Sequence, residues 1–222
     1  EELDEVQQYS VDEAFFKCKQ GDVALALQVK NAVEQRVGIP VSLGVAPSKT
    51  LAKYANTHAK KGSGVHFLNM DNWPEEAIKV PLQTIWGVGG QMEMRYKQHG
   101  ILTVADLISA DSARVKQVFG IHGLRLQKEL LGTVALPFDQ VKEPQTSIMS
   151  SRSFSQETSD PSIIADAVAY HVRHALEDLR RMSCKASVLL VSIRPSRHGD
   201  YLLRGGSKEA VFSAPTDNTI QM

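Results

Sequence analysis

The chain opens with a segment whose side chains suit a half-buried strand. Residues 6–16 are rich in types that favour a pleated surface, namely Tyr9, Val11, Ala14, Phe15 and Phe16. Two adjacent carboxylates, Asp12 and Glu13, lie inside this run. Burying them costs free energy unless a cation compensates their charge. The pattern predicts one strand, with the two acids pointing to opposite faces.

The next 65 residues alternate between helical and strand-like patterns. Residues 23–37 have the apolar spacing of an amphipathic helix, which Gly38 ends. Residues 39–46 and 65–68 are short apolar strands, and a helix capped by Ser48 runs between them to about Lys60. A short helix over 71–80 follows. This order predicts an α+β or α/β sheet unit over residues 1–80.

After Pro81 the pattern changes to short helices separated by glycines. They are predicted at 82–86, 91–99, 103–109, 111–119 and 122–131. Residues 81–136 therefore form a small all-helical domain, and the proline-containing stretch 137–147 is a linker. A second α+β unit fills 148–222, with a strand from about Ser147 to Phe154, a helix over 161–181 and strands over 186–194 and 201–213. The fold class is α+β.

Composition narrows the function only slightly. The 222 residues carry 25 basic and 25 acidic side chains, so net charge gives no support for nucleic-acid binding. No apolar run approaches the roughly 18 residues that span a membrane, and the acidic start EELDE is unlike a signal peptide. Cys18 and Cys184 are far apart, which indicates free thiols in a reducing cytosol.

The helix after Ser48 carries a row of lysines. Lys49, Lys53 and Lys60 fall within roughly 40° of one another on the helix wheel. The row is either a solvated face or a site where cations meet phosphates. Together with Asp12 and Glu13 it suggests a metal–triphosphate site, because Mg²⁺ is held by a few carboxylates plus substrate phosphates.

A glycine-rich turn between two predicted helices suggests a second kind of site. Gly87, Gly89 and Gly90 let backbone amides approach a ligand, and the following helix N-terminus favours a phosphate. The pattern is that of a helix–hairpin–helix, which binds the DNA backbone without reading bases, although such a turn is often only a turn. Residues 120–123 repeat the theme weakly.

Two arginines are weaker DNA-binding candidates. Arg152 lies in the predicted strand of "SSRSFSQ", which contacts phosphates or is an ordinary edge strand. Arg204 belongs to a basic cluster near a predicted hairpin, which suits DNA but also protects a sheet edge. The seven histidines show no spacing typical of metal ligands.

Four motifs in this order resemble the Y-family translesion DNA polymerases, and most closely their UmuC type, the ImpB/MucB/SamB proteins. They are "YSVDEAF", "SLGVAPSKTLAKYANTHAKKGSG", "VPLQTIWGVGGQMEMRYKQHGILTVADL" and "SSRSF". The resemblance implies a partial palm over 1–80, a helix–hairpin–helix thumb over 81–136, a linker over 137–147 and a partial little finger over 148–222. It implies a function in SOS repair and mutagenesis in the bacterial cytoplasm.

The resemblance also implies residue roles. Asp12 and Glu13 match the second acidic motif of a two-metal Mg²⁺ centre, and Lys53 and Lys60 match the helix that contacts the incoming dNTP. Gly87, Gly89 and Gly90 match the hairpin on primer–template DNA, with Arg152 and Arg204 as further contacts. A UmuD-type subunit and a recombinase filament are the implied protein partners, and no membrane is implied.

The sequence departs from the family at both ends. The first acidic motif, of the DxNAFYAS kind, and the fingers are missing, and the little finger stops early. We therefore predict that these residues alone do not extend a primer, because in-line transfer needs both metals held in place. Two other hypotheses stay open: a non-catalytic module that binds the DNA backbone, and a structural or regulatory relic without DNA binding.

Overall fold

The computed structural model describes residues 5–18, 23–138, 145–195 and 205–218. The chain divides into two compact units, Glu1–Val141 and Lys142–Met222. Both contain helices and strands, so the predicted α+β class is confirmed. Within the described ranges, every helix is too short or too polar to cross a membrane.

The first unit begins with a tight hairpin. Strands β1 (Val6–Gln8) and β2 (Ala14–Phe16) pair antiparallel. The backbone carbonyl of Glu13 accepts hydrogen bonds from the N–H groups of Tyr9 and Ser10, at 2.9 and 3.1 Å, and closes the turn. The prediction of one strand over 6–16 is therefore wrong, and Asp12 and Glu13 lie in a turn. Serine and aspartate favour turns because their side chains hydrogen-bond the local backbone.

A parallel pair of strands packs beneath one helix. Helix α1 (Val23–Val37) matches its prediction. Strands β3 (Leu43–Val45) and β4 (Val65–Phe67) pair in parallel, and helix α2 (Lys49–Ala59) connects them. Gly44 faces the α2 backbone so closely that a Cβ would collide with Ala52 and Asn56. Among the described residues β1–β2 and β3–β4 are separate two-stranded sheets, so the predicted sheet unit is divided.

Further helices follow in the described part of the first unit. They are α3 (Trp73–Ala77), a 3₁₀ turn (Leu82–Thr84), α4 (Gly90–Gln98), α5 (Val104–Ser109) and α6 (Ser112–Leu130). Gly120, with φ 71° and ψ −166°, kinks α6 where two separate helices were predicted. One hydrophobic core joins this region to α2, since Leu51, Trp73 and Tyr96 belong to the same buried cluster.

The second unit contains one long helix and one hairpin. Helix α7 (Pro161–Arg181) matches its prediction and is capped by Asp160. Strands β5 (Ala186–Ile193) and β6 (Gly206–Thr216) pair antiparallel. The predicted strand from Ser147 to Phe154 is wrong, because this segment pairs with no strand in the described part of the chain. Of the predicted strand 201–213, residues 201–204 lie outside the described residues.

Candidate functional site

The turn between β1 and β2 presents the two predicted metal ligands. Asp12 is exposed, and its Oδ1 accepts a hydrogen bond of 2.7 Å from the Ser10 hydroxyl. This bond is the main cause of a lowered pKa of Asp12. The backbone N–H of Asp12 is the second cause, and the charges of Lys60 and Lys53 lower the pKa further. Asp12 is therefore held as an ionised carboxylate, the form that binds a metal.

Glu13 is paired with a lysine of α2. Lys53 Nζ lies 2.9 Å from Glu13 Oε2. The same ammonium lies over two aromatic rings, 4.8 Å from the centroid of Tyr9 and 4.9 Å from that of Trp86. The two rings meet edge to face, with centroids 5.1 Å apart. The predicted carboxylate and the predicted triphosphate ligand are thus in direct contact.

The three lysines of the predicted row have three different surroundings. Lys49 is buried, donates to the carbonyl of Pro137 at 2.7 Å and to Gln7 Oε1, and lies 4.5 Å from the centroid of the Phe138 ring. Lys60 is exposed at the C-cap of α2. The prediction of one cationic face is therefore wrong for Lys49, which serves packing, and leaves Lys53 and Lys60 as candidates.

The glycine turn before α4 is open to solvent. Gly87 has φ +88°, which favours glycine, while Gly89 is the N-cap of α4 with φ −82° and ψ 170°. A Cβ built on Gly87, Gly89 or Gly90 would meet nothing within 4 Å. In contrast, a Cβ on Gly123 would collide with Phe119, so that glycine of the second turn serves packing.

The two arginine candidates are far in the sequence from Asp12, Glu13 and Lys53. Arg152 is exposed in an irregular segment that is anchored by a 2.8 Å contact between Ser150 Oγ and His171 Nδ1 of α7. Arg204 lies outside the described residues. The site residues that the structure brings together are therefore those of the turn and Lys53, with Tyr9 and Trp86 as additional members.

A buried carboxylate that the sequence analysis missed supports α2. Glu129 is fully buried, and it accepts hydrogen bonds from the backbone N–H groups of Thr50 at 3.0 Å, Ala135 at 2.7 Å and Leu136 at 3.0 Å. Thr50 lies in the first turn of α2, where a negative charge is stabilised by the helix dipole. Glu129 therefore helps to fix the helix that carries Lys53.

The carboxylates of the turn suit a magnesium ion only together with other ligands. The described part of the chain contains no group of three or more His, Cys, Asp or Glu side chains that could hold a metal. Asp12 and Glu13 offer hard oxygen donors, and Mg²⁺ is commonly bound by one or two carboxylates plus substrate phosphates. The donor set thus fits an ion that arrives with a nucleotide.

The fold is that of a Y-family DNA polymerase over part of its length. A solved Y-family DNA polymerase chimera of Dbh and Dpo4 matches this chain with a TM-score of 0.68. The match covers 96% of this chain and 61% of the chimera, at 20% sequence identity. Residues 1–57 match the impB/mucB/samB family and residues 145–222 match the C-terminal domain of that family. The chain belongs to the impB/mucB/samB family, as its motifs predicted.

Curated relatives agree with this membership. Protein MucB of Escherichia coli is 32% identical over 200 residues, which are 86% of this chain and 48% of MucB. Protein UmuC of Salmonella typhimurium is 29% identical over 79% of this chain and 44% of UmuC. DNA polymerase IV 1 of Bacillus subtilis is 27% identical over 87% of this chain and 48% of that protein. The chain spans about half the length of these relatives.

Proposed function

We propose that these residues are part of an error-prone translesion DNA polymerase that acts in SOS repair and mutagenesis in the bacterial cytoplasm. The observation that carries the proposal is the 2.9 Å contact between Glu13 and Lys53 beside the exposed Asp12. The contact places Lys53, a candidate ligand of a triphosphate, beside Asp12 and Glu13, the candidate ligands of a metal ion. Family membership and the polymerase fold support the same function.

In this proposal the two carboxylates of the turn and the two lysines of α2 have separate roles. Asp12 and Glu13 would hold Mg²⁺, which would neutralise charge on the transferring phosphoryl group. Lys53 and Lys60 would bind the triphosphate of the incoming dNTP, because an ammonium is a compact partner for phosphate. In this proposal residues 1–80 are part of the palm, 81–136 the thumb, 137–147 a linker and 148–222 part of the little finger.

The glycine turn would bind the backbone of primer–template DNA. Its open side and the N-terminus of α4 suit a phosphate, and Arg152 and Arg204 would add sequence-independent contacts. The protein partners would be a UmuD-type subunit and a recombinase filament. This part of the proposal rests on family membership.

Binding of a labelled primer–template duplex at several salt concentrations tests the proposal. We expect affinity to fall as salt rises, because phosphate contacts release counterions. Gly89→Leu should weaken binding more than Gly89→Ala, since only the larger side chain blocks a close approach. The φ of −82° and the open space around Gly89 allow both variants to fold, which circular dichroism would verify.

Equal binding by both Gly89 variants would refute the role of the hairpin. A second candidate function, a non-catalytic module that binds the DNA backbone, is favoured by the ion pair that already occupies Glu13. Calorimetry with Mg²⁺, with and without a dNTP present, separates the two functions. Binding that is lost in Asp12→Ala supports a retained catalytic half-site, whereas DNA binding without any metal binding supports the module.

A further inference from the structure

Lys53 is held on three sides. Glu13 lies 2.9 Å from its ammonium, and the rings of Tyr9 and Trp86 lie within 5 Å on the other sides. Only 22% of the Lys53 side chain is exposed. Aromatic faces attract a cation through their ring quadrupoles, more strongly as water is excluded. The rings therefore fix the position of Lys53 and do not merely cover it.

This arrangement places two cations in competition for Glu13. A divalent ion bound to the Glu13 carboxylate would lie next to an ammonium that already contacts Oε2 of the same group. Like charges at such separations repel strongly near a protein surface. Glu13 can therefore bind a metal well only after Lys53 has moved away from it.

On the basis of the proposed function, we propose that Lys53 is the resident counter-cation of Glu13, positioned by Tyr9 and Trp86, and that a divalent metal displaces it. The released ammonium would then be free to contact the triphosphate. Trp86 directly precedes Gly87 of the glycine turn. Movement of Lys53 away from the Trp86 ring would therefore change the surroundings of the residue next to the proposed DNA-binding hairpin.

Metal affinity of the whole chain tests this idea. Calorimetric titration with Mn²⁺ should show about two- to fivefold tighter binding by Lys53→Met than by the wild type, the range expected when a partly exposed ion pair is removed. Trp86→Leu should shift affinity in the same direction but less, because it only loosens Lys53. A purely structural lysine would give unchanged or weaker metal binding.

Lys60→Met is the matched control for charge. Lys60 is exposed at the C-cap of the same helix, so Lys60→Met removes one positive charge while the contact between Lys53 and Glu13 stays in place. A general effect of positive charge predicts similar changes of metal affinity in Lys60→Met and Lys53→Met. Direct competition at Glu13 predicts that Lys53→Met has the larger effect.

Tryptophan fluorescence gives an independent readout. The sequence has two tryptophans, so Trp86 alone reports in a Trp73→Phe variant. Mg²⁺, which does not itself quench indole emission, should change the emission of Trp86 by moving Lys53 away from the ring, and Lys53→Met should abolish that change. Because Trp73 is buried in the core, the difference spectrum between wild type and Trp86→Phe serves if Trp73→Phe does not fold.

The outcomes separate the two proposals. Equal metal affinity in the wild type, Lys53→Met and Lys60→Met overturns the displacement while the metal role of the turn stands. No saturable binding by any folded variant, either alone or in the presence of a dNTP, removes the metal role of Asp12 and Glu13, and the displacement falls with it.

Discussion

The Ser10 hydroxyl and Asp12 form a local pair in the turn between β1 and β2, with 2.7 Å between Ser10 Oγ and Asp12 Oδ1. A hydroxyl that donates to a carboxylate stabilises its charged form, so the pKa falls. Asp12 is exposed, and the effect is therefore one of charge state and geometry. The Ser10 hydroxyl therefore favours the ionised form of Asp12, while the ammonium of Lys53 forms an ion pair with Glu13.

Replacing Ser10 by alanine should raise the pKa of Asp12 towards its ordinary value. A depressed pKa keeps Asp12 ionised until the pH falls through that pKa, so in Ser10→Ala protonation begins at a higher pH. Metal binding should be lost at a correspondingly higher pH. Carboxyl NMR titration measures the midpoint directly. Asp160, whose pKa is lowered mainly by Ser162, is an internal reference. An unchanged Asp12 midpoint would show that the hydroxyl has no such role.

At the scale of elements, α2 depends on a residue of α6. The buried Glu129 carboxylate accepts hydrogen bonds from a backbone N–H group in the first turn of α2 and from those of residues 135 and 136. The Ser48 hydroxyl, at the N-cap of α2, donates to the backbone carbonyl of Glu129 at 2.7 Å. Trp73 Nε1 donates to the carbonyl of Leu130 at 2.8 Å. The bonds to Ser48 and Thr50 fix the start of the helix that carries Lys53 and Lys60, and the bond from Trp73 ties α3 to the end of α6.

Glu129→Gln should lower the free energy of unfolding of the first unit by about 1.5–3 kcal/mol, the range for hydrogen bonds to charged groups. The amide removes the charge and replaces one of the two acceptor oxygens by an NH₂ donor, which would face a backbone N–H donor. Urea unfolding followed by tryptophan fluorescence measures the loss, because Trp73 and Trp86 both lie in this unit. Glu75→Gln, at an exposed position in α3, is the control and should change stability by less than about 0.5 kcal/mol. Similar losses in both variants would contradict the prediction.

Patterns of neighbouring residues predicted the helices well, but they did not predict contacts between residues that are distant in the sequence. The N-cap of α2 was predicted from Ser48 alone, and its hydroxyl accepts from the N–H of Leu51 at 3.3 Å. Glu129 could not be predicted, since its partner Thr50 is 79 residues away. In "YSVDEAFF" the apolar period concealed turn chemistry at Ser10 and Asp12. The segment 147–154 has strand-like composition, but a strand also needs a neighbour to pair with.

At the scale of the whole molecule, basic and acidic side chains balance, and the candidate site is confined to one turn and one helix. The chain has no net charge, so the proposed DNA affinity would come from a few placed groups and not from a general attraction. Residues 1–57 and 145–222 match the family, and the match to the polymerase fold covers 96% of the chain, which is the scaffold on which the proposal places such groups. Within the described residues, however, the metal-type ligands at the turn number only two carboxylates.

We therefore expect these 222 residues to bind primer–template DNA without extending the primer, because in-line transfer needs two metal ions in a defined geometry. A gel assay with labelled primer, all four dNTPs and Mg²⁺ or Mn²⁺ measures extension. DNA polymerase IV 1 of Bacillus subtilis on the same primer serves as the positive control. Extension that disappears in Asp12→Ala would contradict the expectation and make the two carboxylates sufficient. Extension that persists in Asp12→Ala would come from a contaminating polymerase, so this variant decides how any activity is assigned.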